Sequence, residues 1–143
     1  MINLIFIDID GVLNSPHFYN ITSYYTWDLF DPYCIKLLNK LLKENNAKLV
    51  VSSDWRKTYG LKKVKEVFKK NKIKSNSIDC ISTKYSKEVG IKKYLERTLN
   101  TLKNINYVVL DDEELNIDNL VQVNPKYGLT VIDYLKVNEI LKK

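Results

Sequence analysis

The stretch LIFIDIDGVLN, residues 4–14, sets two carboxylates, Asp8 and Asp10, one residue apart at the end of an apolar run, with Gly11 directly behind them. Two further apolar runs end in the same manner. VVSSDWR closes on Ser52 and Ser53, and YVVLDDEEL closes on Asp111 and Asp112. One such ending carries little information, because something polar must close a strand. Three converging on one edge make a site. Carboxylates arriving from separate loops repel one another unless protonation or a cation relieves them. A hard divalent ion with oxygen ligands is the economical relief. Mg2+ suits best, since it takes one or two carboxylates, keeps several waters and leaves positions for a substrate phosphate.

For these endings to meet, the runs that carry them must be neighbouring parallel strands. Residues 4–9, 48–52 and 107–110 read as strands, with a weaker piece at 78–81 and a short last one at 120–123. Helical periods fall between them. Cys34, Ile35, Leu38, Leu41 and Leu42 share one face, as do Leu61, Val64, Val67 and Phe68, and then Ile91, Leu95 and Leu99. Thr130 with Asp133 can cap a final helix reaching Leu141. This alternation predicts an α/β fold with a mostly parallel central sheet of about five strands and helices on both faces. Ligands of such sheets bind beyond the carboxyl ends of the strands, where the acids and serines stand.

At 143 residues the chain is expected to form a single domain, 1–143, with a core that needs no disulfide or metal staple. The run at 4–9 is too short to span a bilayer, lacks the basic flank of a signal peptide and is broken by aspartate, so a soluble cytoplasmic protein is expected. Cys34 and Cys80 have no metal-ligand spacing around them and read as small buried thiols. The net charge of +6 favours phosphorylated partners. It is uneven: residues 56–74 hold nine cationic side chains against the single acid Glu66. That strip is either a solvated helix face or a track for nucleic acid.

DIDGVLN, VVSSDWR and VVLDD, in that order and at those strand ends, resemble motifs one, two and four of the haloacid-dehalogenase-like (HAD) phosphohydrolases. The chain is most similar to the small capless HAD domains grouped with RNA-repair proteins, in which a serine pair is followed closely by Trp-Arg. VNPKYGLT also fits them. The resemblance covers nearly the whole length and implies a Rossmann-like HAD fold without a folded cap domain. It makes Asp8 the nucleophile that forms an aspartyl-phosphate, and a carboxylate is already ionised for that task at neutral pH. Asp10 becomes general acid and then base. Ser52 binds a phosphoryl oxygen with Ser53 beside it, and Gly11 permits close backbone approach. Asp112 binds Mg2+ with Asp8 and the Asp10 backbone carbonyl, and Asp111 supports or shares that role. The third motif is a lysine or arginine that neutralises the nucleophile and the transferred phosphoryl group. Lys87 is the choice and Lys84 the runner-up. Relatives carry an acid where Gly90 stands, which is a departure from the pattern.

Simpler roles exist for several of these residues. Ser52 and Ser53 can cap the following helix, Asp111 and Asp112 can be the start of an acid cluster with Glu113 and Glu114, and Trp55 can be a packing residue. Arg56 can pin a second phosphate of the substrate or pair with an acid of its loop. Residues 14–33 form a flap-like insert dense in aromatics, including Phe18, Tyr19, Tyr24, Tyr25, Trp27 and Phe30, which either close the core or stack on substrate bases. The function expected is a Mg2+-dependent phosphomonoesterase acting on a nucleic-acid end or a nucleotide. The alternative is a catalytically silent HAD-fold binding or regulatory domain.

Overall fold

A computed structural model describes residues 1–21, 26–101 and 104–142, with the side chain of Ile21 excepted. Five strands form one all-parallel sheet: β1 (Ile2–Ile7), β2 (Lys48–Val51), β3 (Ile78–Cys80), β4 (Ile105–Asp111) and β5 (Leu120–Gln122), in the order β3-β2-β1-β4-β5. The helices are α1 (Pro16–Ile21), α2 (Pro32–Glu44), α3 (Trp55–Thr58), α4 (Gly60–Lys70), α5 (Lys87–Thr101) and α6 (Val131–Leu141). The architecture is Rossmann-like, as expected. Among the described residues no folded cap is present, and the connection from β1 to α2 holds only the six-residue α1.

The strands are buried on both faces, and the period of two in a strand separates two cores. Ile5 and Ile7 of β1, Leu49 and Val51 of β2, and Val108 and Leu110 of β4 point to the face covered by α2, α4 and α6. Leu4, Phe6, Val50 and Val109 point to the other, where Ile91 and Leu95 of α5 cover them. Right-handed crossovers account for the split. The chain moves outward from β1 to β3 with α2 and α4 on one face, and its return to β4 carries α5 across the opposite one.

Local chemistry starts α2 and α6, the second where the sequence indicated. Asp31 caps α2 by accepting the Tyr33 N–H at 2.9 Å, with Pro32 in the first turn. Asp133 accepts from both the N–H and the hydroxyl of Thr130 at the start of α6, at 3.0 and 3.1 Å. Two expectations need correction. Leu99 is half-exposed, because a spacing of four residues drifts about 40° per step around a helix and carries the third member off the contact face. Cys80 is only partly buried, at the end of the edge strand β3, whereas Cys34 is fully buried. Among the described residues no helix is long and apolar enough to cross a membrane.

Candidate active site

The register of the sheet delivers the first components. Ile7 partners both Val51 and Leu110, so Asp8, Ser52 and Asp111, each one residue further on, arrive abreast on three adjacent strands. The ladder continues into them: Asp8 N–H donates to Leu110 O at 3.0 Å and Ser52 N–H to Ile7 O at 3.0 Å. Alternation places all three on the face that α5 covers. Lys87 opens α5, and its Nζ lies 3.3 Å from Asp8 Oδ2, 3.1 Å from Asp111 Oδ2 and 3.4 Å from Glu113 Oε1. Of the two lysines considered for this role, Lys87 reaches the carboxylates, and Lys84 is exposed and lines no part of the cleft. Gly90, the departure noted above, has a packing reason. A Cβ there would stand 2.7 Å from Ile81 Cδ1, so glycine lets α5 approach the sheet closely enough for Lys87 to enter.

Asp8, Asp111 and Asp112 bring carboxylate oxygens within 4.8 Å of one another. At such a separation two full charges repel by about 3 kcal/mol for an effective dielectric near 20, and one ammonium faces three of them plus Glu113. The titration behaviour follows. Burial raises the pKa of Asp8, repulsion from Asp111 raises it further, and Lys87 opposes both. Burial likewise raises Asp111, against the Glu113 N–H and Lys87. At Lys87 burial works against the charge, but Asp8 and then Asp111 more than reverse it, so its pKa lies above the ordinary 10.5. Asp111 Oδ2 makes no hydrogen bond among the described residues, although Lys87 stands at ion-pair distance. An all-oxygen cluster in which one ammonium is outnumbered by carboxylates fits a hard divalent cation such as Mg2+.

Asp10 stands apart from this trio at the exposed rim. Its Oδ2 accepts from Trp55 Nε1 at 3.0 Å and its Oδ1 from Asn14 Nδ2 at 3.0 Å, while Asn14 Oδ1 accepts the Gly11 N–H at 3.0 Å. The carboxylate is thereby aimed from two sides. Gly11 has φ +82°, and a Cβ would fall 2.5 Å from Asp112 Oδ2. Only glycine allows both the turn and the approach of Asp112.

The second strand end divides its labour. Ser53 lines the cleft, and its hydroxyl accepts the Trp55 N–H at 3.1 Å, opening α3. Ser52 is fully buried, its hydroxyl has no hydrogen-bond partner among the described residues, and it does not line the cleft. Arg56, read either as a ligand of a second phosphate or as the partner of an acid in its loop, is the largest fully buried side chain among the described residues, lies outside the cleft lining and pairs with Asp54 of its loop. Its guanidinium donates to the carbonyls of Ser52 (2.9 Å), Ser53 (3.1 Å), Ser82 (3.2 Å) and Tyr85 (2.8 Å), and to Asp54 Oδ1 (3.2 Å). With its donors so engaged, Arg56 braces the loops after β2 and β3 instead of presenting a free cation. Sequence reasoning missed Asn14 and the Trp55–Asp10 contact. The only signal was the position of Asn14 four residues after Asp10.

The described rings of the aromatic insert are partly core and partly surface. Phe18 and Phe30 are buried. Trp27 is 40% exposed and stacks on Tyr59, ring centroids 4.8 Å apart and 16° from parallel, beside Trp55. Tyr24 and Tyr25 lie outside the described residues. Trp55, Tyr59, Asp8, Asp10, Ser53, Lys87 and Asp112 together line a cleft of about 350 Å³.

A family model described as "HAD domain in Swiss Army Knife RNA repair proteins" matches residues 4–133, and the chain belongs to that family. No curated protein matches it.

Proposed function

We propose, from membership of this HAD family, that the protein is a Mg2+-dependent phosphomonoesterase acting on a phosphorylated nucleic-acid end or nucleotide, and that residues 1–143 work as one capless domain. The observation that carries the reading is Lys87 Nζ between Asp8 and Asp111, 3.3 and 3.1 Å away, at the mouth of a cleft that Asp112 and Asp10 also line. A cation beside the nucleophile is what phosphoryl transfer requires.

Asp8 attacks phosphorus in line, the bond to the leaving oxygen breaks, and Asp10 gives that oxygen its proton. Asp10 then takes a proton from water, whose oxygen attacks the aspartyl-phosphate; phosphate departs and Asp8 is regenerated. Trp55 and Asn14 hold Asp10 in position for both transfers. Lys87 offsets charge on Asp8 and on the phosphoryl oxygens. Ser53, on the cleft wall, contributes a hydroxyl to those oxygens, and Ser52 sits beneath it as a buried hydroxyl at the strand end. Asp8 and Asp112, with the Asp10 backbone carbonyl and support from Asp111, would hold Mg2+, which supplies charge neutralisation and polarises the phosphoryl group.

The test is release of a generic aryl phosphate with Mg2+ and with chelator, set beside Asp8→Asn. Metal-dependent release that this substitution abolishes supports the reading. Silence of the wild-type protein across many phosphoesters would favour a binding or regulatory domain.

A further inference from the structure

A hollow larger than the cleft lies elsewhere on the described surface. A groove of about 930 Å³ runs along α2, with its opposite wall made by the end of α4 and the loop to β3. Lys36, Lys40 and Lys43 stand on one wall and Lys70, Lys72 and Lys74 on the other, all exposed, and no acidic residue lines it. Of the acids beside it, Asp28 pairs with the groove's own Lys70 at 2.7 Å, which leaves five lysines without that partner, and Glu44 accepts from Tyr134 Oη. Between the walls lies an apolar floor that includes Phe30, Ile35 and Leu42.

Two asparagines build the groove. Asn39 of α2 donates to Lys72 O at 2.9 Å and accepts the Lys74 N–H at 2.7 Å, clamping the far wall onto the near one. Asn71 accepts the Phe30 N–H at 2.9 Å and donates to Asp28 O at 2.8 Å, closing the upper end. Lys72 adopts φ +62°, a left-handed conformation that follows the end of α4 and favours glycine. The position nevertheless presents a lysine to the groove.

One short segment joins groove and cleft. Trp27 stacks on Tyr59, which lines the cleft, and Asp28 holds Lys70, while Leu29 and Phe30 line the groove. Three residues of chain span at most about 10 Å. Resting on the proposed function, we infer that this groove seats the body of a single-stranded nucleic acid, whose phosphorylated end passes Trp27 and Tyr59 into the cleft. Two rows of lysine over an apolar floor, leading to an exposed aromatic pair, combine the backbone charge and base stacking that such strands use. A compact phosphometabolite would have no use for a row of lysines on each wall beyond the reacting phosphate.

The experiment is binding of a fluorescent single-stranded RNA of roughly twelve nucleotides with hydroxyl ends, so that nothing on it can react in the cleft, measured across a salt series. Wild-type protein should bind it in a salt-dependent way. The variant K36Q/K43Q/K74Q should lower the slope of log K against log salt by about 2, at roughly 0.7 per lysine, with its melting temperature retained. Lys72→Gly removes the left-handed strain, so it should melt no lower than wild type yet reduce the slope by about 0.7. Unchanged binding in both variants, or equal binding of a polyglutamate peptide, would overturn the inference. Aryl phosphate turnover by the wild-type protein is read separately. Turnover without RNA binding sinks the groove and leaves the phosphatase, whereas RNA binding lost in the variants without turnover supports the groove and sinks the phosphatase.

Discussion

Around the cleft of about 350 Å³ stand Lys87 and five carboxylates, with Asp8 on its wall and Asp111 beside Lys87 almost wholly removed from water; around the groove of about 930 Å³ stand six exposed lysines, of which Lys70 is paired with Asp28. The difference lies in how strongly each charge depends on its neighbours. Buried charges a few ångströms apart interact by several kcal/mol and are little screened, so each change there should be large and coupled to the rest. Exposed lysines are screened over about 10 Å at 0.1 M salt, so each should contribute a small, separable share to binding.

The strongest way to break this contrast is Asp8→Asn. If Asp8 is the nucleophile, as proposed, its loss should reduce phosphatase turnover by about 10⁴-fold or more. The same change removes one of the mutually repelling carboxylates, so the metal-free variant should melt at a higher temperature than wild type. A drop in both activity and melting temperature would mean that Asp8 contributes net stability and that the cluster is not under electrostatic strain.

Next in size is Lys87→Met, which leaves Asp8 and Asp111 buried without their counter-ion. Destabilisation of roughly 3 kcal/mol is expected from denaturant unfolding, together with a fall in kcat of about 10² to 10³. Lys84→Met should shift stability by less than about 0.5 kcal/mol. Equal effects at the two positions would remove the assignment of Lys87.

The pH dependence of the metal-free protein follows from the directions of the shifts. Asp8 and Asp111 have folded pKa values above the ordinary 3.8, so the folded state holds their protons more tightly than the unfolded state. Their favourable contribution is therefore present at low pH and is lost as pH rises above about 4 through the folded values. Lys87, raised from 10.5, is charged in both states throughout that window and adds no slope until strongly alkaline pH. Mg2+ should accordingly raise the melting temperature little at pH 5 and much more at pH 8, approaching about 2.7 kcal/mol at a hundredfold excess over its Kd. A gain independent of pH would argue that the ion binds elsewhere.

Smaller again is Trp55→Phe, which keeps a ring in the core but removes the donor 3.0 Å from Asp10 Oδ2. A hydrogen bond to a charged group is worth about 1.5–3 kcal/mol, so kcat should fall about tenfold or somewhat more with KM nearly unchanged. A change confined to KM would make Trp55 a substrate platform instead. The smallest effect is expected from Lys36→Gln in the groove, a reduction of about 0.7 in the salt slope for RNA with no change in melting temperature. A collapse of binding from that one change would refute the additive picture.

What local order in the chain determined, a reader of the sequence could recover. The apolar runs, their acidic and serine endings, the capped starts of α2 and α6, and the family likeness all depend on residues close in sequence or on the parity of a strand. The meeting of Asp8 and Asp111 follows from that parity once parallel strands are granted. Other features were decided only in three dimensions, because they are contacts between side chains far apart in the chain. Lys87 was already the choice over Lys84, but its reach to Asp8 and Asp111 depended on the path of α5 over the sheet, and Arg56 became a brace because the loop after β3, 26 to 29 residues on, offers it carbonyls. Trp55 meets Asp10 across 45 residues. Nor could a lysine-rich helix announce a groove, since its second wall exists only where Asn39 ties down a loop 33 to 35 residues further along.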